Sequence, residues 1–145
     1  MATAPTEQQL QALLQGPPEG SIRMINLLKF REQAEYEDGS AGGCANGMEA
    51  YLRYGAALEA GILDAIGATL IYSEPVVTGV IGEANALDYD IIAIVNYPSR
   101  QAFLDMAASP AYQEAHKHRE AGLERQLLIC CAGNEPSLGN TKLLA

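Results

Sequence analysis

The sequence predicts an α+β domain of β-α-β-β-α-β order, and three observations carry that prediction. Four segments read as strands: "SIRMINLLKF", "ATLIYSEPVVTGVIG", "YDIIAIVNY" and "LLICCA". Two stretches of helical apolar spacing interrupt them, one after the first strand and one after the third. Turn signals fall between the segments, so each helix returns the chain to the same layer. This order is the ferredoxin-like arrangement, an antiparallel sheet with helices on one face.

Each element has its own justification. Thr6 is placed to cap a short amphipathic helix carrying Leu10, Leu13 and Leu14, which Gly16, Pro17 and Pro18 stop. The first strand, Ser21 to Phe30, is apolar on both faces. A loop rich in charge and glycine follows, "REQAEYEDGSAGGCANG". In the first core helix Tyr51, Tyr54, Leu58, Ile62 and Ala65 share one stripe, and Gly67 ends it. The second strand is expected to bend at Pro75, since proline cannot donate to a ladder. Pro98 and Ser99 open a helix with Phe103, Leu104 and Met106 on its buried side. Ser109 as N-cap and Pro110 at the first helical position start another, "SPAYQEAHKHREAGLERQ".

Composition sets the outer bounds. A chain of 145 residues fits one domain with a substantial core. The expected division is a short N-terminal helix, a linker at 18–20, a core over 21–132 and a tail over 133–145. The balance of 18 acidic against 9 basic residues, net charge -9, disfavours nucleic acid and anionic membrane as partners. No apolar run approaches the ~20 residues of a membrane span. The first residues lack the pattern of a secretory signal, so a cytoplasmic location with reduced thiols is expected. Cys130 and Cys131 are adjacent and point to opposite faces of a strand, which makes a disulfide between them strained. Nothing beside Cys44 in the sequence points to an activated thiol.

The third strand places Ile91, Ala93 and Val95 on one face and Ile92 and Ile94 on the other. A two-layer monomer would leave one apolar face in water, and such a patch marks an interface. The expected partner is a second copy, giving a homodimer packed sheet to sheet.

The chain resembles the family known as domain of unknown function 1330, within the dimeric α+β-barrel superfamily. The resemblance rests on "NLLKFRE" (Asn26 to Glu32), "AEYEDG" (Ala34 to Gly39), "AYLRYG" (Ala50 to Gly55) and "YPSRQAFLDMAASPAYQEAHKHREAGLERQLLI". The last block is the most specific, with Phe103, Ser109, Pro110, Tyr112 and Arg119 in place. It implies the ferredoxin-like fold and the dimer. It implies little chemistry, because relatives on this superfamily fold include cofactor-free monooxygenases, isomerases and haem-handling proteins, and fold does not carry function.

The candidate site is read from residue types and phase. His116 and His118 stand about 200° apart on a helix and cannot share one metal ion. His116 pairs with Glu120 at i+4, which supplies only two ligands where zinc takes at least three from protein. No metal site and no cofactor are therefore expected, and the glycine-rich loop carries no phosphate-binding fingerprint. His118 shares a stripe with Ala111, Ala115 and Gly122, where small residues point to close packing around a hydrogen-bonded imidazole. Arg119 falls on the stripe of Tyr112, His116 and Leu123, at the helix–sheet boundary. It serves either as an ion-pair partner of a nearby carboxylate or as a fork for a carboxylate or enolate ligand. Asn26 interrupts an apolar strand and must find hydrogen bonds, at a cost of ~1–3 kcal/mol if it does not. Lys29 faces the opposite side from Asn26. Tyr51 and Tyr54 lie on the buried stripe, where phenols seek partners.

The expected function is the binding of a small organic molecule, with or without its transformation, in a pocket between helices and sheet. Asn26, Tyr51, Tyr54 and Arg119 are the expected walls. His116 and Tyr54 are the candidate acid–base groups for a reaction run by proton transfer or by direct attack of oxygen. The alternative is a non-catalytic ligand-binding or structural dimer.

Overall fold

The computed structural model describes residues 3–17 and 19–133. The tail expected from residue 134 onward lies outside the described residues, as does Pro18 of the linker. The elements run α1 (Glu7–Leu14), β1 (Ile22–Phe30), α2 (Gly47–Ala57), a π turn (Leu58–Ile62), α3 (Leu63–Ala65), β2 (Thr69–Pro75), β3 (Ile91–Tyr97), α4 (Arg100–Ala108), α5 (Pro110–Gly122) and β4 (Leu123–Ala132). The four strands form one sheet in the order β2-β3-β1-β4. Every neighbouring pair is antiparallel. The fold is α+β and ferredoxin-like, as the order of elements predicted.

The caps read from the sequence are made. Thr6 accepts from the Gln9 amide while the Gln9 side chain accepts from the Thr6 amide. Ser99 caps α4, and Ser109 caps α5 with Pro110 in the first turn. Each satisfies an amide that the helix would otherwise leave open. Ile22, Met24, Val95 and Tyr97 of the sheet pack with Leu63 and Met106 of the helices as the main core. Leu28, Phe30 and Leu123 form a second cluster.

Three boundaries differ from the sequence reading. The stripe of the first core helix does not run on to Ala65, which is exposed; Leu63 is buried instead. The cause is the π turn, where Gly61 adopts φ 154° and ψ -18°. The wider turn advances the following residues around the axis, so the apolar face is continued by Leu63 and Ile66. The second strand ends at Pro75, and Val77, Val80 and Ile81 lie almost wholly exposed in the loop beyond it. The last helix stops at Gly122, where Leu123 already has extended backbone, φ -85° and ψ 128°. Leu123 and Gln126 therefore belong to β4 and not to the helical stripe.

Helices α2 and α5 cross at two glycines. The Arg31 amide donates to the Gly122 carbonyl at 2.8 Å, and the Gly47 amide donates to the Arg31 carbonyl at 3.1 Å. A Cβ on Gly122 would stand 2.4 Å from the Gly47 carbonyl oxygen and 2.8 Å from the Tyr51 nitrogen. This backbone-on-backbone approach brings the tyrosines of α2 against α5.

The other face of the sheet carries Ile25 and Leu27 of β1, Ile92 and Ile94 of β3, and Leu127 and Ile129 of β4 in register. Leu127 and Ile129 are exposed, at 45% and 50%. Lys29 lies on this face too and pairs with Asp88 at 3.0 Å, away from Asn26.

Candidate functional site

The side chains singled out in the sequence gather on the helix side of β1 and β4. Tyr51 and Tyr54 come from α2, Tyr112, His116 and Arg119 from α5, and Asn26 from β1. Five rings form a ladder across this layer. Phe30 to Tyr51 is 5.2 Å between centroids, Tyr51 to Tyr54 5.1 Å, Tyr54 to Tyr112 5.9 Å and Tyr112 to His116 5.9 Å. The tilted and edge-on pairings are those aromatic quadrupoles favour. The Tyr54 hydroxyl donates to the Tyr112 hydroxyl at 3.1 Å.

Burial raises the pKa of Tyr51 and Tyr54 well above the ordinary phenol range, outweighing the opposing pull of the Arg119 charge. Desolvation disfavours the phenolate. Tyr54 therefore stays protonated near neutral pH, and of the two acid–base roles only donation is open to it.

A polar relay runs beneath the rings. The Asn26 amide nitrogen donates to the Ala93 carbonyl at 3.2 Å and the Met24 carbonyl at 3.3 Å. Its oxygen is thereby turned toward β4, where it accepts from the Gln126 amide nitrogen at 2.7 Å. That in turn points the Gln126 oxygen at Arg119, which donates to it through Nη2 at 2.5 Å. The direction of each bond follows from the one before, starting at fixed backbone. The sequence places Gln126 at the end of a helix, whereas it stands in β4 opposite Leu28 and reaches diagonally to Asn26.

Arg119 is the terminus of this relay, its side chain only 11% exposed. Nη1 donates to Glu120 Oε1 at 2.7 Å, and Nη2 also donates to the Thr3 carbonyl at 2.6 Å. Glu120 Oε1 lies 3.3 Å from His116 Nε2 as well. One half-exposed carboxylate thus faces both the arginine and the histidine. The reading of His116 and Glu120 as a pair holds in the structure, and the pair reaches Arg119.

The other histidine stands apart. His118 Nδ1 lies 2.7 Å from the Tyr36 hydroxyl, on the side of α5 that packs against the glycine-rich loop. Of its predicted stripe Ala115 and Gly122 are buried while Ala111, in the first turn of α5, is exposed, so His118 is a hydrogen-bonded residue packed toward the C-terminal part of the helix. Among the described residues no three His, Cys, Asp or Glu side chains converge as a metal site would require.

Two surface hollows lie away from this cluster. One is an open cleft of about 650 Å³ formed within the 76–89 loop, and the other is a 110 Å³ hollow beside Ile22 and Arg100. Neither is lined by Asn26, Tyr51, Tyr54 or Arg119. The aromatic ladder stands between helices and sheet, and the Thr3 carbonyl lies against Arg119.

Comparison with known proteins agrees with the fold. The family model described as domain of unknown function (DUF1330) matches residues 45–132. The chain belongs to this family. A solved structure of a protein of unknown function from Rhodopseudomonas palustris is 31% identical, with a TM-score of 0.79, covering 92% of this chain and 97% of that one. A dabb family protein with a ferredoxin-like fold from Mesorhizobium loti is 17% identical, with a TM-score of 0.50, covering 77% of this chain and 95% of that one. A hydroxynitrile lyase from Passiflora edulis is 15% identical, with a TM-score of 0.50, covering 83% of this chain and 99% of that one. The last two likenesses show the fold alone. No curated protein matches the sequence. Among the described residues no helix is long and apolar enough to cross a membrane.

Proposed function

We propose that this protein of the DUF1330 family binds a small oxygen-bearing organic molecule at Arg119, against Tyr51, Tyr54 and Tyr112. The observation that carries the reading is the directed relay from Asn26 through Gln126 to Arg119. A fold gains little from setting a cation under an aromatic layer and fixing its orientation through two amides, whereas an oriented fork is what recognition needs. His116, half-exposed and facing Glu120, is the proton-transfer group of this reading, and Tyr54 acts through Tyr112, to whose hydroxyl it donates.

The test is a melting-shift screen of small oxygenated molecules against the wild type and Arg119→Met. Stabilisation of the wild type that vanishes in Arg119→Met supports the site. Equal shifts in both proteins refute it. The variant itself remains folded, because the carboxylate it leaves behind, Glu120, is 43% exposed and keeps its water. The change also takes a donor from the part-buried Gln126 oxygen, so the cost is ~1–3 kcal/mol, below the ~3–5 kcal/mol of stranding a buried charge.

A second reading, a dimer whose role is structural or interactive, is favoured by the open sheet face. Apolar side chains from three strands stand there in register. A second copy of the same face is the simplest cover, because a self-complementary patch closes on itself in a two-fold dimer. The two readings are compatible, since the relay and the rings lie on the opposite face of the sheet.

A further inference from the structure

We infer that the ligand subsite on Arg119 takes the oxygen of an uncharged carbonyl compound, and that the Thr3 carbonyl occupies this subsite until such a ligand displaces it. The inference rests on the reading of Arg119 as a ligand site and names its chemistry.

Charge around the guanidinium is already balanced. Arg119 donates to Glu120, and its other side-chain acceptor is the neutral amide oxygen of Gln126. A carboxylate ligand would add an unmatched negative charge beside Glu120, on a chain of net charge -9. The second hydrogen of Nη2 is turned toward a third acceptor, and that acceptor is a peptide carbonyl at 2.6 Å. The fork is thus seen holding a neutral carbonyl oxygen in the position a ligand would use.

The segment supplying that carbonyl is weakly held. Helix α1 buries none of its residues, Leu10 and Leu14 are exposed, and Leu13 packs only in part against the core. The capping box at Thr6 and Gln9 fixes where α1 begins, and so where the chain from Thr3 must lie. Displacing this strap exposes little apolar surface. A ligand that matches its hydrogen bond and adds contact with the Tyr51 ring, which lies close enough to feel the Arg119 charge, has the advantage.

Titration calorimetry on the full chain decides the matter with three probes that share a ring: acetophenone, benzamide and benzoate. The uncharged pair should bind at least tenfold more tightly than benzoate, and Arg119→Met should abolish their binding. Thr6→Ala, which removes the capping box without touching Arg119, should tighten acetophenone binding by about threefold to tenfold, the equilibrium worth of such a cap. Benzoate binding more tightly than the other two, with loss in Arg119→Met, overturns this inference and leaves the site standing. Unchanged acetophenone affinity in Thr6→Ala overturns the competing strap. Failure of all three probes to bind removes the subsite and the proposed function together.

Discussion

The crossing of α2 and α5 at Gly47 and Gly122 gives a prediction that joins stability to the site. In Gly122→Ala the new Cβ would lie 2.4 Å from the Gly47 carbonyl oxygen, where ordinary contact begins at 3.4 Å. The shortfall is about 1 Å, and the opposing atoms belong to backbone, so no side-chain rotation relieves it. The helices must part. Overpacking of this kind costs ~1–3 kcal/mol, and the better helix propensity of alanine returns less than its usual ~1 kcal/mol because Gly122 is the last residue of α5. The net loss is about 2 kcal/mol, or roughly 5–8 °C in Tm for a domain of this size. Parting the helices also pulls Tyr54 from Tyr112, so the near-ultraviolet circular dichroism of the tyrosines should weaken in the folded variant. A variant as stable as the wild type, with an unchanged tyrosine signal, would refute the tight crossing.

The remaining predictions concern the open face and the phenols. Ile94→Asp should shift sedimentation from roughly twice the 15.4 kDa chain mass to the monomer mass while circular dichroism stays native. A wild type that sediments as a monomer contradicts the dimer. Burial raises the pKa of Tyr51, Tyr54 and Tyr97, so each holds its proton more strongly folded than unfolded. Above about pH 10 the unfolded chain binds fewer protons, and stability must fall as pH rises. Absorbance at alkaline pH should show these three of the seven tyrosines ionising only together with loss of the fold. Full ionisation of all seven tyrosines with native circular dichroism would contradict their burial.

Local signals in the sequence carried most of the fold. Ser99 and Ser109 mark helix starts through side chains that bond within one turn, Pro110 through its fixed φ, and the structure places them so. The alternation of Ile91 to Val95 separated the two sheet faces because strand geometry leaves no other choice. The small residues along α5 signalled close packing, which the glycine crossing shows. What escaped depends on contacts that periodicity does not encode. The π turn at Gly61 displaced Ala65 from the core, since a glycine inside a helical pattern reveals nothing of its φ angle beforehand. Gln126 was hidden because its role depends on the register of β4 against β1, a relation between residues 100 apart in the chain. Thr3 was hidden for the same reason, 116 residues from Arg119. Arg119 itself was legible from its helical phase, and its acceptors were not.

The central claim, that the relay ending at Arg119 is a binding site, is tested most directly by nuclear magnetic resonance of the side-chain amides. Titration of the ¹⁵N-labelled full chain with acetophenone should move the Asn26 and Gln126 amide signals and the Thr3 backbone amide, while those of Ile25 and Ile94 on the opposite face stay in place. Shifts confined to the open face or to the loop at Val77 to Ile81, with Asn26 and Gln126 unmoved, would contradict the account.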